Sequence, residues 1–254
     1  MTPRRLFALS AVTALALNAA TPAWSWGWSW DSGERIAGTG EVTSEARELG
    51  AFDGVTLSGS FQVVIRQSRG IKVEVKTDRN LLPYLETRVV ESAKGRTLEI
   101  STKKGFQLSA ATAPIITVDM PSLRAVAVAG SGLVKVEAMK TASVDASIAG
   151  SGDIRLVQLD TDRLGLKVSG SGDILASGRA GTASVSIAGS GDVKAAELVA
   201  EEVKVSIAGS GDAQVQASKK LQVSIAGSGD VRYVGSPEIS SSIAGSGSVR
   251  RLTP

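Results

Sequence analysis

The feature that most constrains this chain is a tripeptide. Gly-Ser-Gly recurs with its first glycine at Gly130, Gly150, Gly170, Gly189, Gly209, Gly227 and Gly245, in steps of 20, 20, 19, 20, 18 and 18 residues. A degenerate copy, Gly59-Ser60-Phe61, lacks the second glycine. A period of this length marks a repeat architecture, in which each unit is one supersecondary element that must stack on a neighbour to bury its apolar face. Two positions before the first glycine stand Leu57, Val128, Ile148, Val168, Ile187, Ile207, Ile225 and Ile243, all aliphatic. Four positions after it stand Val63, Val134, Ile154, Ile174, Val193, Ala213, Val231 and Val249. Between these two inward ladders the chain must turn, and glycine supplies the positive-φ conformations of a tight corner. Segments such as Val203-Lys204-Val205-Ser206-Ile207 alternate apolar and polar residues, as a strand with one buried face does.

The expected fold is therefore all-β: a right-handed parallel β-solenoid, or β-helix, of 18–20-residue coils, regular from about Leu123 onward and pairing coil on coil at about 4.8 Å per step. An outer-membrane barrel also alternates strands and turns, but it needs aromatic girdles and an apolar outer band. Aromatics make up 4% of this chain, and the outward positions of the repeats are Ser, Lys, Asp and Gln.

Three segments precede or interrupt the period. Residues 1–23 begin with Arg4 and Arg5, continue as an apolar run from Leu6 to Ala20 and end in small residues. That is the pattern of a secretory signal peptide, expected to be cleaved after Ala23, with Ser25 as second choice. Residues 24–50 open with Trp24, Trp26, Trp28 and Trp30 and are expected to be a Trp-rich linker or cap; residues 51–254 are the solenoid domain. Within it, residues 66–121 lose the period and form a β-rich insertion near the N-terminal end. Ile71–Lys76, Thr87–Val90, Leu98–Thr102 and Ile115–Val118 are expected strands, Lys94-Gly95-Arg96 a turn, and Asp78 the N-cap of a short helix or turn. A lid there would cover edge groups otherwise open to aggregation.

Removing residues 1–23 takes two arginines and no acid, so the 28 basic and 25 acidic residues become 26 and 25, a net charge of +1. Such a balance gives no basic field for nucleic acid or anionic lipid, and no membrane span is expected after signal cleavage. The chain has no histidine and no cysteine, which removes the usual general base near neutrality, the common zinc ligands and any disulfide. An exported protein is expected, periplasmic first, with secretion or surface association as alternatives.

The segments Ala51-Phe52-Asp53-Gly54-Val55 and Phe61-Gln62-Val63-Val64-Ile65, the later Pro121-Ser122-Leu123 and the serial Gly-Ser-Gly-Asp turns resemble the bacterial head-GIN-domain family, named as auto-transporter adhesins. The likeness runs from about Phe52 to Arg250. It implies an exported β-solenoid with no catalytic residues to carry over. Self-export through a terminal translocating barrel is not expected.

The strongest polar signal follows the second glycine: Gln62, Leu133, Asp153, Asp173, Asp192, Asp212, Asp230 and Ser248. Five consecutive carboxylates could form a calcium ladder, since calcium takes several oxygen ligands. Alternatively each Asp accepts a backbone N–H of its own turn, as in Asx-turns. Unit charges about 4.8 Å apart in water repel by roughly 1 kcal/mol per pair, and two residues on stand Lys135, Arg155, Lys194, Arg232 and Arg250, interrupted by Leu175 and Gln214. Self-supplied counter-charge favours turn capping, so no cofactor is expected and calcium is the exception to test.

A polysaccharide-active β-helix enzyme is the main catalytic alternative. It would need a differentiated carboxylate pair at set separation rather than a uniform row. The Gly-Ser-Gly turns also lack the Lys-Ser/Thr and helix of a phosphate-binding loop. A second column, Thr56, Ala127, Ser147, Lys167, Ser186, Ser206, Ser224 and Ser242, could dock envelope glycans or surface proteins, though solvent-facing serine needs no ligand. The expected function is a non-catalytic envelope-binding, adhesin-like or structural module, with a calcium-stabilised self-assembling scaffold as a further alternative.

Overall fold

A computed structural model describes residues 33–92 and 95–252. The expected signal segment 1–23, the cluster Trp24–Trp30 and the turn residue Lys94 lie outside the described residues. The fold is a stack of parallel β-coils, 73% strand and 3% helix, with about six turns of solenoid. Each regular coil has three walls. The first holds the strand that ends at the corner glycine, and it is in register from Leu57 through Val128, Ile148, Val168, Ile187, Ile207 and Ile225 to Ile243. The second begins just after the corner and aligns Val63, Val134, Ile154, Ile174, Val193, Ala213, Val231 and Val249. Both ladders are the ones expected. From Leu57 to Ile225 the first ladder is at most 1% exposed, but Ile243, with no described strand stacked above it, is 41% exposed.

A third wall, not anticipated from the repeat, aligns Met139, Leu159, Gly178 and Leu198, and beside them Thr141, Thr161, Ala180, Ala200 and Ala217. The uneven coil lengths are absorbed around this wall. Register shifts fall between Leu156 and Leu159, between Leu175 and Ser177, between Ala195 and Val199, and between Ala200 and Glu202. Gln158 sits in the first bulge with φ +54. Extra residues are tolerated where a strand can bulge, which leaves the glycine corners in strict register.

Those corners nest backbone on backbone. Ser171 N–H donates to the carbonyl of Gly150 at 2.9 Å, and Ser151, Ser190, Ser210, Ser228 and Ser246 repeat the bond at 2.9–3.0 Å. At Gly170 φ is +133, and any side chain on Gly172 would overlap the carbonyl oxygen of Gly152 and lie 2.9 Å from Ile148 Cγ2. The first glycine is thus set by conformation and by contact together, since a side chain on Gly170 would overlap the Gly150 carbonyl, and the second by contact. The degenerate Gly59 corner has no such corner beneath it, so its third residue can be Phe61, which is 3% exposed and packs against Gly59.

Residues 66–121 are β-rich and stand at the N-terminal end, as expected, but they also extend the stack. Gly95–Thr102 pairs in parallel beneath Gly54–Ser58, placing Ile100 under Leu57, and Ile115–Met120 pairs beneath Gln62–Gln67, placing Ile116 under Val63. After two short strands, Glu34–Ala37 paired with Phe106–Ser109 and Val42–Arg47 paired with Lys72–Asp78, the chain enters the second coil, drops to build the first, and returns through Leu123. Asp53 and Arg124 clamp that return, Nε to Oδ2 at 2.9 Å and Nη2 to Oδ1 at 3.0 Å. The third wall stops at this level because the Gln67 side-chain amide takes the place of a peptide. It accepts from Lys140 N–H at 3.0 Å and donates to the carbonyls of Lys140 and Pro121, both at 2.9 Å. The antiparallel strands Lys72–Asp78 and Leu85–Ser92 then close the end. Asp78 precedes a 3₁₀ helix, Arg79–Tyr84, but makes no capping bond. It is instead 4% exposed, its Oδ2 unpaired and close against Gly38, which corrects the N-cap expectation.

Gly172→Ala is expected to lower stability by about 3 kcal/mol or more, because a backbone carbonyl must move to admit the methyl group. Gly70→Ala, where nothing lies within 4 Å of the new atom, should change it by less than about 1 kcal/mol. Denaturant titration of both variants measures the difference; equal effects would contradict nested corners.

Candidate functional site

The five aspartates stack as the repeat demands, but their hydrogen bonds run between coils and not within turns. Asp153 Oδ1 accepts from Asp173 N–H at 3.4 Å, Asp173 Oδ1 from Asp192 N–H at 3.2 Å, Asp192 Oδ1 from Asp212 N–H at 3.1 Å, and Asp212 Oδ1 from Asp230 N–H at 2.9 Å. Asp230 completes the chain on Ser248, whose N–H and hydroxyl donate to Oδ1 at 3.0 and 2.7 Å. The own-turn capping expected from sequence is therefore replaced by a relay, each carboxylate holding the next coil. The physical reason is the in-register stacking of the corners, which sets the next coil's aspartate N–H within hydrogen-bond reach of each carboxylate.

Of the expected counter-charges Lys194 and Arg232 meet the second oxygens, while Lys135 pairs with Glu137 instead. Lys194 Nζ lies 2.9 Å from Asp173 Oδ2 and 3.9 Å from Asp192 Oδ2, and Arg232 Nη2 lies 3.7 and 3.9 Å from Asp212 and Asp230. The hydrogen bond that the Lys194 ammonium donates to Asp173 holds it above its ordinary pKa. The Ser248 hydroxyl, then its N–H, Arg250 and Arg232, hold Asp230 below the ordinary aspartate range against a smaller desolvation effect. Among the described residues no three acidic side chains gather as a metal-binding group.

A different surface offers unoccupied polar groups. On the outside of the first wall a groove of about 560 Å³ crosses five coils. One column reads Ser143, Arg163, Thr182, Glu202, Lys220; the other reads Asp145, Gly165, Ser184, Lys204, Gln222. Gly165 leaves a notch beside Asp145 Oδ1. The serine column Ser147, Ser186, Ser206, Ser224 and Ser242, broken by Lys167, runs alongside on the same face. Arg163, Glu202, Lys204 and Lys220 make no side-chain hydrogen bond or ion pair with any described residue. Sequence reasoning found the serine row but missed this groove, whose positions lie further from the glycine marker; the same 18–20-residue alignment extended two and four residues back would have shown it.

A smaller groove of about 310 Å³ lies where the second wall bulges into the third, lined by Arg155, Val157, Leu175, Ala176, Lys194 and Ala196 among others. Val157 and Leu175 are 37% and 45% exposed there. Leu175, the gap in the basic column, is thus an apolar surface element.

Repeated coils, nested corners and columns of outward side chains define the parallel β-solenoid class. The chain belongs to the family "Putative auto-transporter adhesin, head GIN domain", whose model matches residues 51–237. A solved structure from Parabacteroides distasonis named "Putative lipid binding protein" is 29% identical, with a TM-score of 0.70, over 87% of this chain and 100% of that one. Structures named putative adhesins, from Bacteroides fragilis and Parabacteroides merdae, are each 23% identical, with TM-scores of 0.76 and 0.67, over 85% and 87% of this chain and 100% of theirs. These two share the fold. No curated protein sequence matches this chain. The family-like residues Phe52, Asp53, Gly54 and Leu123 serve architecture: Phe52 and Leu123 are core, Asp53 holds Arg124, and Gly54 makes room for Thr97 Oγ1.

Asp192→Asn keeps an acceptor for Asp212 N–H and should shift the unfolding midpoint little, whereas Asp192→Ala leaves that donor unpaired at a cost of about 1–2 kcal/mol. Because Asp230 has a lower pKa folded than unfolded, its contribution is complete above about pH 4 and is lost as pH falls through the folded value. Ser248→Ala removes the largest cause of that shift, so the Asp230 titration followed by NMR should move to higher pH.

Proposed function

We propose that this protein is an exported, non-catalytic envelope-binding module that holds an extended polar polymer, an envelope glycan in the first instance, along the first-wall groove. The observation that carries the reading is the set of Arg163, Lys204 and Lys220, in no ion pair with a described residue, beside hydroxyl rows repeating at about 4.8 Å. Such a lattice matches a chain of regularly spaced polar groups and not a single small molecule. Catalysis fits poorly: Asp145 and Glu202 in the groove are three coils apart, roughly 14 Å, beyond the ~5–9.5 Å that paired carboxylates need for glycoside hydrolysis. Export rests on the basic-then-apolar residues 1–23, and no helix among the described residues is long and apolar enough to cross a membrane.

A second reading has its own observation. The exposed Val157 and Leu175 beside Arg155 and Lys194 would suit an anionic amphiphile, in keeping with the name of the 29% identical relative.

The mature chain, offered to an array of glycans and cell-wall polymers with and without chelator, should bind a polar polymer without turning it over. Lys204→Glu should weaken that binding about tenfold, as expected for one charged contact, while Leu175→Ser leaves it unchanged. The reverse pattern, with binding to fatty-acid or anionic-lipid vesicles, would favour the second groove. Product release abolished by one carboxylate change would end the non-catalytic reading. Loss of both binding and thermal stability on chelation would assign calcium to the column Asp153–Asp230. N-terminal sequencing of the mature chain should begin at Trp24; retention of Met1 on a cytoplasmic protein would overturn export.

A further inference from the structure

The two ends of the solenoid are built differently. At the N-terminal end the antiparallel strands, the 3₁₀ helix and the fully buried Leu81 close the core, and the rim strand Leu85–Ser92 carries Glu86, Arg88 and Glu91. At the other end the last first-wall strand, Glu238–Gly245, pairs among the described residues only with the coil below it, and all eight of its residues are exposed. Leu221 and Ile225 are at most 1% exposed, yet Ile239 and Ile243, stacked on them, are each 41% exposed. Between Glu238 and Gly245, just after Pro237, this edge has no lysine, no proline and no bulge, the devices that keep natural edge strands from pairing.

Its sequence is also a palindrome, Ile239-Ser240-Ser241-Ser242-Ile243. We propose that this open end is a homodimer interface, in which the Glu238–Gly245 strands of two copies pair antiparallel about a two-fold axis at Ser241. Opposed residues of an antiparallel pair share one face of the sheet. In this register Ile239 therefore meets the partner's Ile243 on the core side, Ser240 meets the partner's Ser242 outside, and the two apolar interiors become one. Charge agrees with this register. Glu238, the strand's only ionised side chain, falls opposite Ala244, so the two carboxylates end about 20 Å apart. Head-to-tail stacking would instead set Glu238 against a rim bearing Glu86 and Glu91. The two-fold contact is self-complementary and closes at two copies, where a head-to-tail contact would grow into a fibre.

Size sets the strength. The strand is about 27 Å long and the opposing wall about 10 Å away, so a few hundred Å² per copy is covered, below the ~800 Å² per partner of a stable complex. The dimer is accordingly a weak one, forming at micromolar concentrations and above.

Because the chain contains no cysteine, single cysteines report the register directly. Antiparallel partners have Cα atoms about 4.5–5.5 Å apart, within disulfide reach, so Ser241→Cys should oxidise to a covalent dimer, and Glu238→Cys, at the far ends of the paired strands, should not. The unmodified mature chain should sediment as a monomer at low micromolar concentration and approach, without exceeding, twice that mass at several hundred micromolar. Ser241→Lys, with unchanged circular dichroism, should raise the required concentration at least tenfold. A constant monomer mass would overturn the proposal, whether because nothing covers the edge or because another segment of the same chain does. Growth beyond two copies, or equal oxidation at positions 238 and 241, would overturn it as well.

Discussion

At each regular corner from Gly130 to Gly227 a glycine carbonyl receives the N–H of the serine one coil further on, at 2.9–3.0 Å, with no side chain between the two backbones. The rest of the structure depends on this contact. It fixes how closely successive turns approach, and so keeps the walls in parallel register along the stack. It also brings each aspartate within reach of the next coil's amide. Register in turn places the aliphatic ladders over one another, and burial of a Val or Ile contributes roughly 1.5–3 kcal/mol. A corner with a side chain in it would separate the turns and weaken the relay and both ladders together.

The same regularity shapes what the protein can do. A stack of near-identical coils presents columns, and a column is poor material for a catalytic site, which needs unlike groups at defined separations. It is good material for repeated weak contacts with an extended ligand. Individuality enters at three places only: the first-wall groove, where the outward columns vary from coil to coil; the bulged junction of the second and third walls; and the two ends, one plugged and one open.

Much of this was legible in the sequence, and the exceptions have physical causes. The Gly-Ser-Gly spacing and the aliphatic positions on either side gave both ladders, because glycine corners and buried aliphatics answer to strict local rules. The third wall was hidden by its composition and by the side it is counted from: Met139, Leu159, Gly178 and Leu198 each stand 11 residues before the next corner glycine, but Gly178 breaks the aliphatic column and the distance from the preceding corner varies. The coil made by Gly95–Thr102 and Ile115–Met120 was hidden for another reason: it has no glycine corner of the repeat type, and its place beneath Leu57 and Val63 is out of chain order. The aspartates were identified as bonded to backbone, but the partner lies one coil away, a distance that a turn-by-turn reading does not consider.

The most direct measurement is residue-resolved hydrogen exchange at the corner serines. Ser171, Ser190, Ser210 and Ser228 have exposed side chains, so a solvent-facing turn would exchange their amides within the range of an open loop. Nested corners predict that these four amides are protected to nearly the level of core strand amides such as those of Ile187 and Ile207, and that they open together. Fast, independent exchange at the four serines beside protected walls would contradict the account.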